Sequence, residues 1–303
     1  MGTAMKAEIA LDVRDHLGEG ILWDHRDQVL WWLNVPMPSK LHRFDPAKGD
    51  HKVWEMPEMI TSMSVREKGG LIIASHHGIN FFDPEKGQLD RVLEPEKHLP
   101  GNRFNDGACD RQGRFWVGSM QNNISVDAHN LPLEESSGCL YRIDPDLSFQ
   151  CMEEGIMVSN TVCWSPDNST FYFTDTVTGV IRAYDFDEAS GTISNPQPLL
   201  RGHEQSGYPD GSTVDAEGGI WSCRWEGGCV IRFLPNGVVD LIVEVPVSRV
   251  TSCAFGGAEL DTLFITTARW DMSEAELNEN PQAGGLFKVK PGFKGLPDAR
   301  FAG

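Results

Sequence analysis

Four residues far apart in the chain, Glu19, Asn105, Asn160 and Asp210, carry side-chain oxygens and share one local position. Each stands five residues ahead of the start of a polar turn, at Asp24, Asp110, Ser165 and Asp215. Thr61 and Thr251 hold the same place ahead of Arg66 and Gly256. If the fold brings these positions to one axis, two carboxylates and two amide oxygens meet in a partly dry channel. Buried polar and charged groups of that kind are costly without compensation. A hard divalent cation with oxygen ligands would supply it, and would make a Lewis-acid site. The other solution has amides bridging waters and carboxylates paired with Arg103 or another cation, which makes only a polar channel mouth.

The turns define the elements that must position these residues. WDHRDQVLWW (23–32), VREKGGLIIA (65–74), CDRQGRFWVG (109–118), WSPDNSTFYF (164–173), VDAEGGIWSC (214–223) and FGGAELDTLFI (255–265) share one shape. An apolar run, a polar turn and a second run rich in β-branched or aromatic residues mark a β-hairpin. A second hairpin follows each: LHRFDPAKG, INFFDPEKG, LYRIDPDLS, IRAYDFDEASG, VIRFLPNG and LFKVKPG. Units of two hairpins recurring at roughly 49 residues match a radial repeat. The expected fold is all-β, a six-bladed β-propeller with four antiparallel strands per blade, in a single domain over residues 1–303. AEIALDV (7–13) is then free to supply the strand missing from the last unit and close the ring. Trp23, Trp31, Trp116, Trp164 and Trp221 fall on strands and are expected between blades.

Composition sets outer bounds. The chain has 303 residues, of which 40% are hydrophobic, enough for a large core. Its net charge of −18 argues against nucleic acid or an anionic membrane surface as partner. Seven cysteines without CxxC spacing are expected as reduced, buried small hydrophobes rather than a disulfide framework. No apolar run approaches a membrane span and the N-terminal stretch lacks a signal-like apolar segment, so a cytoplasmic location is expected. No GxSxG elbow, HExxH, P-loop or GxGxxG unit is present.

LGEGILWD, RFNDGACDRQGRFWVGSM, VSNTVCWSPD, YPDGSTVDAEGGIWSC and TTARWDMSEAELNENPQAGGLFKV resemble, in order, blocks of the SMP-30/gluconolactonase/regucalcin family. The resemblance spans roughly residues 8–290. It implies a six-bladed propeller, one divalent cation and hydrolysis of sugar-acid lactones such as glucono-, xylono- or arabinonolactone. Metal ligands fall on Glu19, Asn160 and Asp210, with Asp210 as general base. Substrate contacts fall on Arg103 and Asn105, and Asp106 matches a supporting Asp. Where some members carry an acidic pair that contacts substrate, this chain has Gln121-Asn122-Asn123, so Asn123 is a weaker candidate. Oxygen ligands suit calcium first, with magnesium, manganese, zinc or iron(II) compatible.

Further candidates near the channel mouth are His76 in SHHG and Arg224-Trp225 in RWEGG, the latter as a platform for a sugar ring. Two long loops, Ser119–Gly138 and Ala268–Gly285, are expected to overhang the site. Within the second, Ser273 and Glu276 have capping-box spacing. Two other readings use the same propeller: a phosphotriesterase-like hydrolase, and a non-catalytic calcium-binding or protein-binding scaffold. Oligomeric state is not legible in the sequence.

Overall fold

In the computed structural model, which describes residues 5–201 and 206–303, the chain folds into six sheets. Each is an antiparallel run of four strands, and together they form the expected six-bladed β-propeller. The innermost strands of blades 1 to 6 are Gly18–Asp24, Ile60–Val65, Asn102–Cys109, Ser159–Trp164, Tyr208–Val214 and Val250–Gly256. Glu8–Leu11 pairs with Leu286–Val289 and completes blade 6, so the N-terminal segment closes the ring as expected. A short strand ahead of it, Met5–Lys6, runs parallel to Val239–Glu244 and gives blade 5 a fifth strand. No helix of the described residues is long and apolar enough to cross a membrane.

The hairpin turns hold their shape through side chains as well as backbone. Asp110 Oδ1 accepts from the Gln112 and Arg114 amides, both at 3.0 Å, and its Oδ2 accepts from Trp116 Nε1 at 2.9 Å. Asp215 repeats the device with the Glu217 and Gly219 amides at 2.9 Å and Trp221 Nε1 at 2.8 Å. One carboxylate thus closes a turn and satisfies a buried indole N–H. Packing between blades is apolar and aromatic, as where Trp116 meets Trp164 edge-on at 6.0 Å. All five tryptophans expected between blades are buried.

The cysteine expectation needs one correction. Cys139 and Cys151 form a disulfide within blade 3, because the outer hairpin carries their strands side by side with the Cα atoms 6.1 Å apart. The other five cysteines are free and buried.

The C-terminal segment was silent in the sequence and crosses the face opposite the ring. Gly295 bridges to Asp215 of blade 5, and Asp298 accepts from the Trp23 amide of blade 1 at 2.9 Å. Phe301 is fully buried and bridges to Arg66 of blade 2, while the Ala302 amide donates to Gly113 of blade 3 at 3.0 Å.

Asp215 pairs with Arg232 at 2.7 Å, and both side chains are buried. Asp215→Ala leaves an unpaired indole N–H and removes one of the Arg232 carboxylate partners, a loss of about 3–5 kcal/mol. Asp83→Ala, in an outer turn open to solvent, costs much less, because water screens its pair with Lys86. Denaturant unfolding of the two variants measures this, and equal losses would contradict the role given to Asp215.

Candidate functional site

Every innermost strand carries an irregularity at the same place. Register shifts fall between Glu19 and Leu22, Ile60 and Ser62, Phe104 and Gly107, Asn160 and Cys163, Pro209 and Ser212, and Val250 and Cys253. Each is a bulge with one extra residue on the inner strand, the feature that re-aims side chains in a sheet. All six residues found by counting back from the turns sit at these bulges. Two bulges have left-handed backbone just after the ring residue, at Gly20 (φ 58°) and Thr161 (φ 58°). For β-branched Thr161 this conformation is strained. Its hydroxyl is held by the Asp210 carbonyl at 2.7 Å and Ser212 Oγ at 2.9 Å.

Glu19, Asn105, Asn160 and Asp210 line one axial cavity of about 330 Å³. Arg103, Asn123 and Trp225 line it too, together with Thr176, Arg249 and Trp270. The remaining ring positions turn away: Thr61 donates to the Ala74 carbonyl at 3.3 Å and Thr251 to the Gly18 carbonyl at 2.5 Å.

Hydrogen bonds fix the amides in sequence. Thr176 Oγ1 donates to the Pro209 carbonyl at 2.9 Å, so it can only accept from Asn160 Nδ2, at 2.8 Å. That leaves Asn160 Oδ1 as an acceptor, 3.2 Å from Asn105 Nδ2. Arg103 offers only donors, so Nη1 meets Asn105 Oδ1 at 2.6 Å and Nη2 meets Asn123 Oδ1 at 2.9 Å. Burial pushes the Arg103 pKa down to about 10, partly offset by Glu19 and Asp210, and it stays charged.

The carboxylates are less well served. Among the described residues Glu19 accepts only from the adjacent Gly20 amide, at 3.2 Å, and the backbone N–H of Gly211 serves Asp210. Burial first, and neighbouring carboxylates second, push both well above the usual carboxylate range. No ion pair joins Arg103 to either within 4.0 Å among the described residues. Two carboxyls in one cavity, Asp210 buried and Glu19 half-buried, with the Asn160 amide oxygen beside them, are a donor set suited to a hard cation. Among the described residues no three His, Cys, Asp or Glu side chains group to hold a metal by themselves, so a cation here needs the Asn160 amide.

Three candidates lie apart from the cavity. Asp106 lines a separate, smaller space of about 130 Å³ toward the far face. Its carboxylate takes backbone N–H groups of Gly107, Thr161 and Val162, tying blade 3 to the blade 4 bulge, and burial raises its pKa to about 6. Arg224 is fully buried and donates to the Ser206 and Gly207 carbonyls at 3.0 and 2.8 Å. His76 stacks on His77 at 4.3 Å, and burial lowers its pKa to about 4, which leaves it neutral.

Both long loops do overhang the cavity. Trp270 Nε1 of the second donates to the Ala128 carbonyl of the first at 2.7 Å. The second loop carries the helix Glu274–Glu279, with the Ser273–Glu276 capping box formed as its spacing predicts. Thr176 and Arg249 went unnoticed in the sequence. Arg249 had a signal: it stands two residues before its ring position, as Arg103 does, and alternate strand residues face one way.

Comparisons with known proteins agree with this architecture. Residues 17–269 match the family described as SMP-30/Gluconolactonase/LRE-like region. A 6-deoxy-6-sulfogluconolactonase of Pseudomonas putida is 36% identical over 290 residues, covering 95% of both chains. The pentonolactonase XacC of Haloferax volcanii is 32% identical over 300 residues, covering 96% of both. The crystal structure of a calcium-binding protein, regucalcin, from Agrobacterium tumefaciens superimposes with a TM-score of 0.91 at 29% identity, over 99% of both chains.

A pH-dependent cation effect follows from the two raised carboxylates. In the unfolded chain they titrate near pH 4. Folded and cation-free they hold their protons to higher pH, so stability falls as pH rises above that range. A cation binding the ionised forms reverses this and gains more where protons are fewer. Calcium at about 100 times its Kd adds about 2.7 kcal/mol. The accompanying rise in Tm is expected to be larger at pH 8 than at pH 5 by differential scanning calorimetry. Equal shifts at both pH values would contradict the donor set.

Proposed function

The chain belongs to the SMP-30/gluconolactonase/LRE-like family, and we propose that it is a carboxylic-ester hydrolase that opens sugar-acid lactones with the help of one divalent cation. The observation that carries the proposal is the shared axial cavity in which the carboxylates of Glu19 and Asp210 meet the Asn160 amide oxygen. Relatives that act on sulfogluconolactone and pentonolactones support the substrate class. The calcium-binding description of the superimposed regucalcin, and the all-oxygen donor set, support calcium.

Glu19, Asn160 and Asp210 would hold the cation, which when bound supplies Lewis-acid polarisation of the lactone carbonyl and lowers the pKa of a water. Asp210 accepts a proton from the attacking water as it adds to the carbonyl carbon. The ring C–O bond then breaks, and the proton passes to the departing ring oxygen, leaving a hydroxy acid. Arg103, held between Asn105 and Asn123, presents positive charge to the substrate oxygens without needing to reorganise. Trp225 and Trp270 form an aromatic wall, with ring centroids 6.3 Å apart, against which the sugar ring packs.

Asp210→Ala should cut turnover of glucono-, xylono- and arabinonolactone by about 10²–10⁴-fold. EDTA should abolish turnover in the parent protein, and calcium should restore it. A pH-indicator assay measures both. Chelator-insensitive hydrolysis, or near-full activity in the variant, would overturn the proposal.

A further inference from the structure

The ring residues have a second tier. Two positions ahead of them on each blade stand Leu17, Met59, Arg103, Val158, Tyr208 and Arg249. Only blades 3 and 6 place a cation there. In a closed ring of six these blades are three apart, so Arg103 and Arg249 approach the cavity they both line from opposite sides.

The two guanidinium groups differ in what they have left to offer. Arg103 donates to the Phe104 carbonyl, Asn105 and Asn123. Arg249 makes one side-chain hydrogen bond among the described residues, from Nη1 to the Trp270 carbonyl. An arginine has five N–H donors in a planar fork suited to a carboxylate or similar oxyanion. Among the described residues the nearest carboxylate to Arg249 is Glu276 at 3.8 Å. That distance is too long for a hydrogen bond, and the other Glu276 oxygen is engaged by Ser273 at 2.7 and 2.8 Å. Glu226 and Asp271 also line the cavity but are exposed, where water and salt screen them. Arg249 lies beneath them, 9% exposed, with its guanidinium 5.3 Å from the Trp225 ring.

We infer that Arg249 is a specificity residue that receives an anionic substituent on the end of the lactone remote from the scissile carbonyl. The preferred substrates are accordingly acidic lactones, bearing a carboxylate, sulfonate or phosphate. This deepens the lactonase reading and rests on it. A sugar lactone whose carbonyl meets the Glu19–Asn160–Asp210 group extends from there toward the loops, where the Arg249 fork stands one tier above the ring in the same cavity. The two aromatic rings lie alongside.

The test compares glucono-1,5-lactone with glucarolactone, whose C6 is a carboxylate, on the calcium-loaded protein. The parent should prefer glucarolactone at least tenfold in kcat/KM. Arg249→Gln should lower that ratio at least tenfold, mainly through KM, and Arg249→Lys should give an intermediate ratio. Inhibition by the products is a second readout: glucarate should inhibit more strongly than gluconate, and the difference should vanish in Arg249→Gln. A purely structural role, in which Arg249 only holds Trp270, would lower both activities together and leave the ratio unchanged. That result, or no preference in the parent, would overturn the inference while leaving the lactonase reading intact. Failure to hydrolyse either lactone would remove both.

Discussion

Two carboxylates confined to one buried cavity repel each other, and the architecture around Glu19 and Asp210 tolerates that repulsion instead of removing it. Burial alone disfavours their ionised forms, and Asp106 of blade 3 adds to the penalty. Arg103, a buried cation in the same cavity, is tethered to two amides and not to either carboxylate. A protein selected only for stability would place a guanidinium against Asp210 or replace the pair with apolar residues. What the fold does instead is hold anionic oxygens apart from protein cations and turned toward an open space. Protonation relieves the repulsion at low pH, and at higher pH only a bound cation can.

The means of convergence is the repeated bulge. Regular alternation along an inner strand would send every second side chain into an adjacent blade interface. The extra residue in each of six strands re-aims the backbone at the same height, and in four of them this brings a side chain into the axial cavity. In blade 4 this is achieved with Thr161 in a left-handed conformation, where glycine serves in blade 1. The threonine hydroxyl binds the Asp210 backbone, so the strained residue also sets the position of the next blade's carboxylate. Orientation then passes along the arc. Thr176 settles Asn160, and Arg103 settles Asn105 and Asn123, because a committed hydroxyl or a donor-only guanidinium permits one amide orientation.

What the sequence made legible follows from which of these constraints are local. Hairpin turns have fixed lengths, so counting back five residues finds the bulge position in all six blades. Two of the six ring positions still contribute nothing to the cavity, because Thr61 and Thr251 satisfy their hydroxyls on nearby carbonyls, an outcome set by partners distant in the chain. Arg224 resembles a rim residue by adjacency to Trp225, yet alternation turns it the other way and buries it against Ser206 and Gly207. The Cys139–Cys151 bond depends on pairing within an outer hairpin, for which cysteine spacing gives no signal. The C-terminal strap had no repeat to betray it, since it belongs to no blade and its contacts are with five different ones.

That strap bears on the chemistry at the opposite face. A propeller axis is naturally a tunnel, and a tunnel open at both ends would leave the carboxylate ring in contact with bulk water from below. Here Leu296, Pro297 and Asp298 close the far space, which is separate from the cavity that holds Glu19 and Asp210. Asp106 stands in the partition between the two, fastened by three backbone amides. Two loops that meet where Trp270 reaches Ala128 border the upper cavity. Side chains of those loops and Arg249 line the same cavity as Glu19 and Asp210, so they are placed to sort molecules that reach the carboxylates, whose own arrangement carries no such selection.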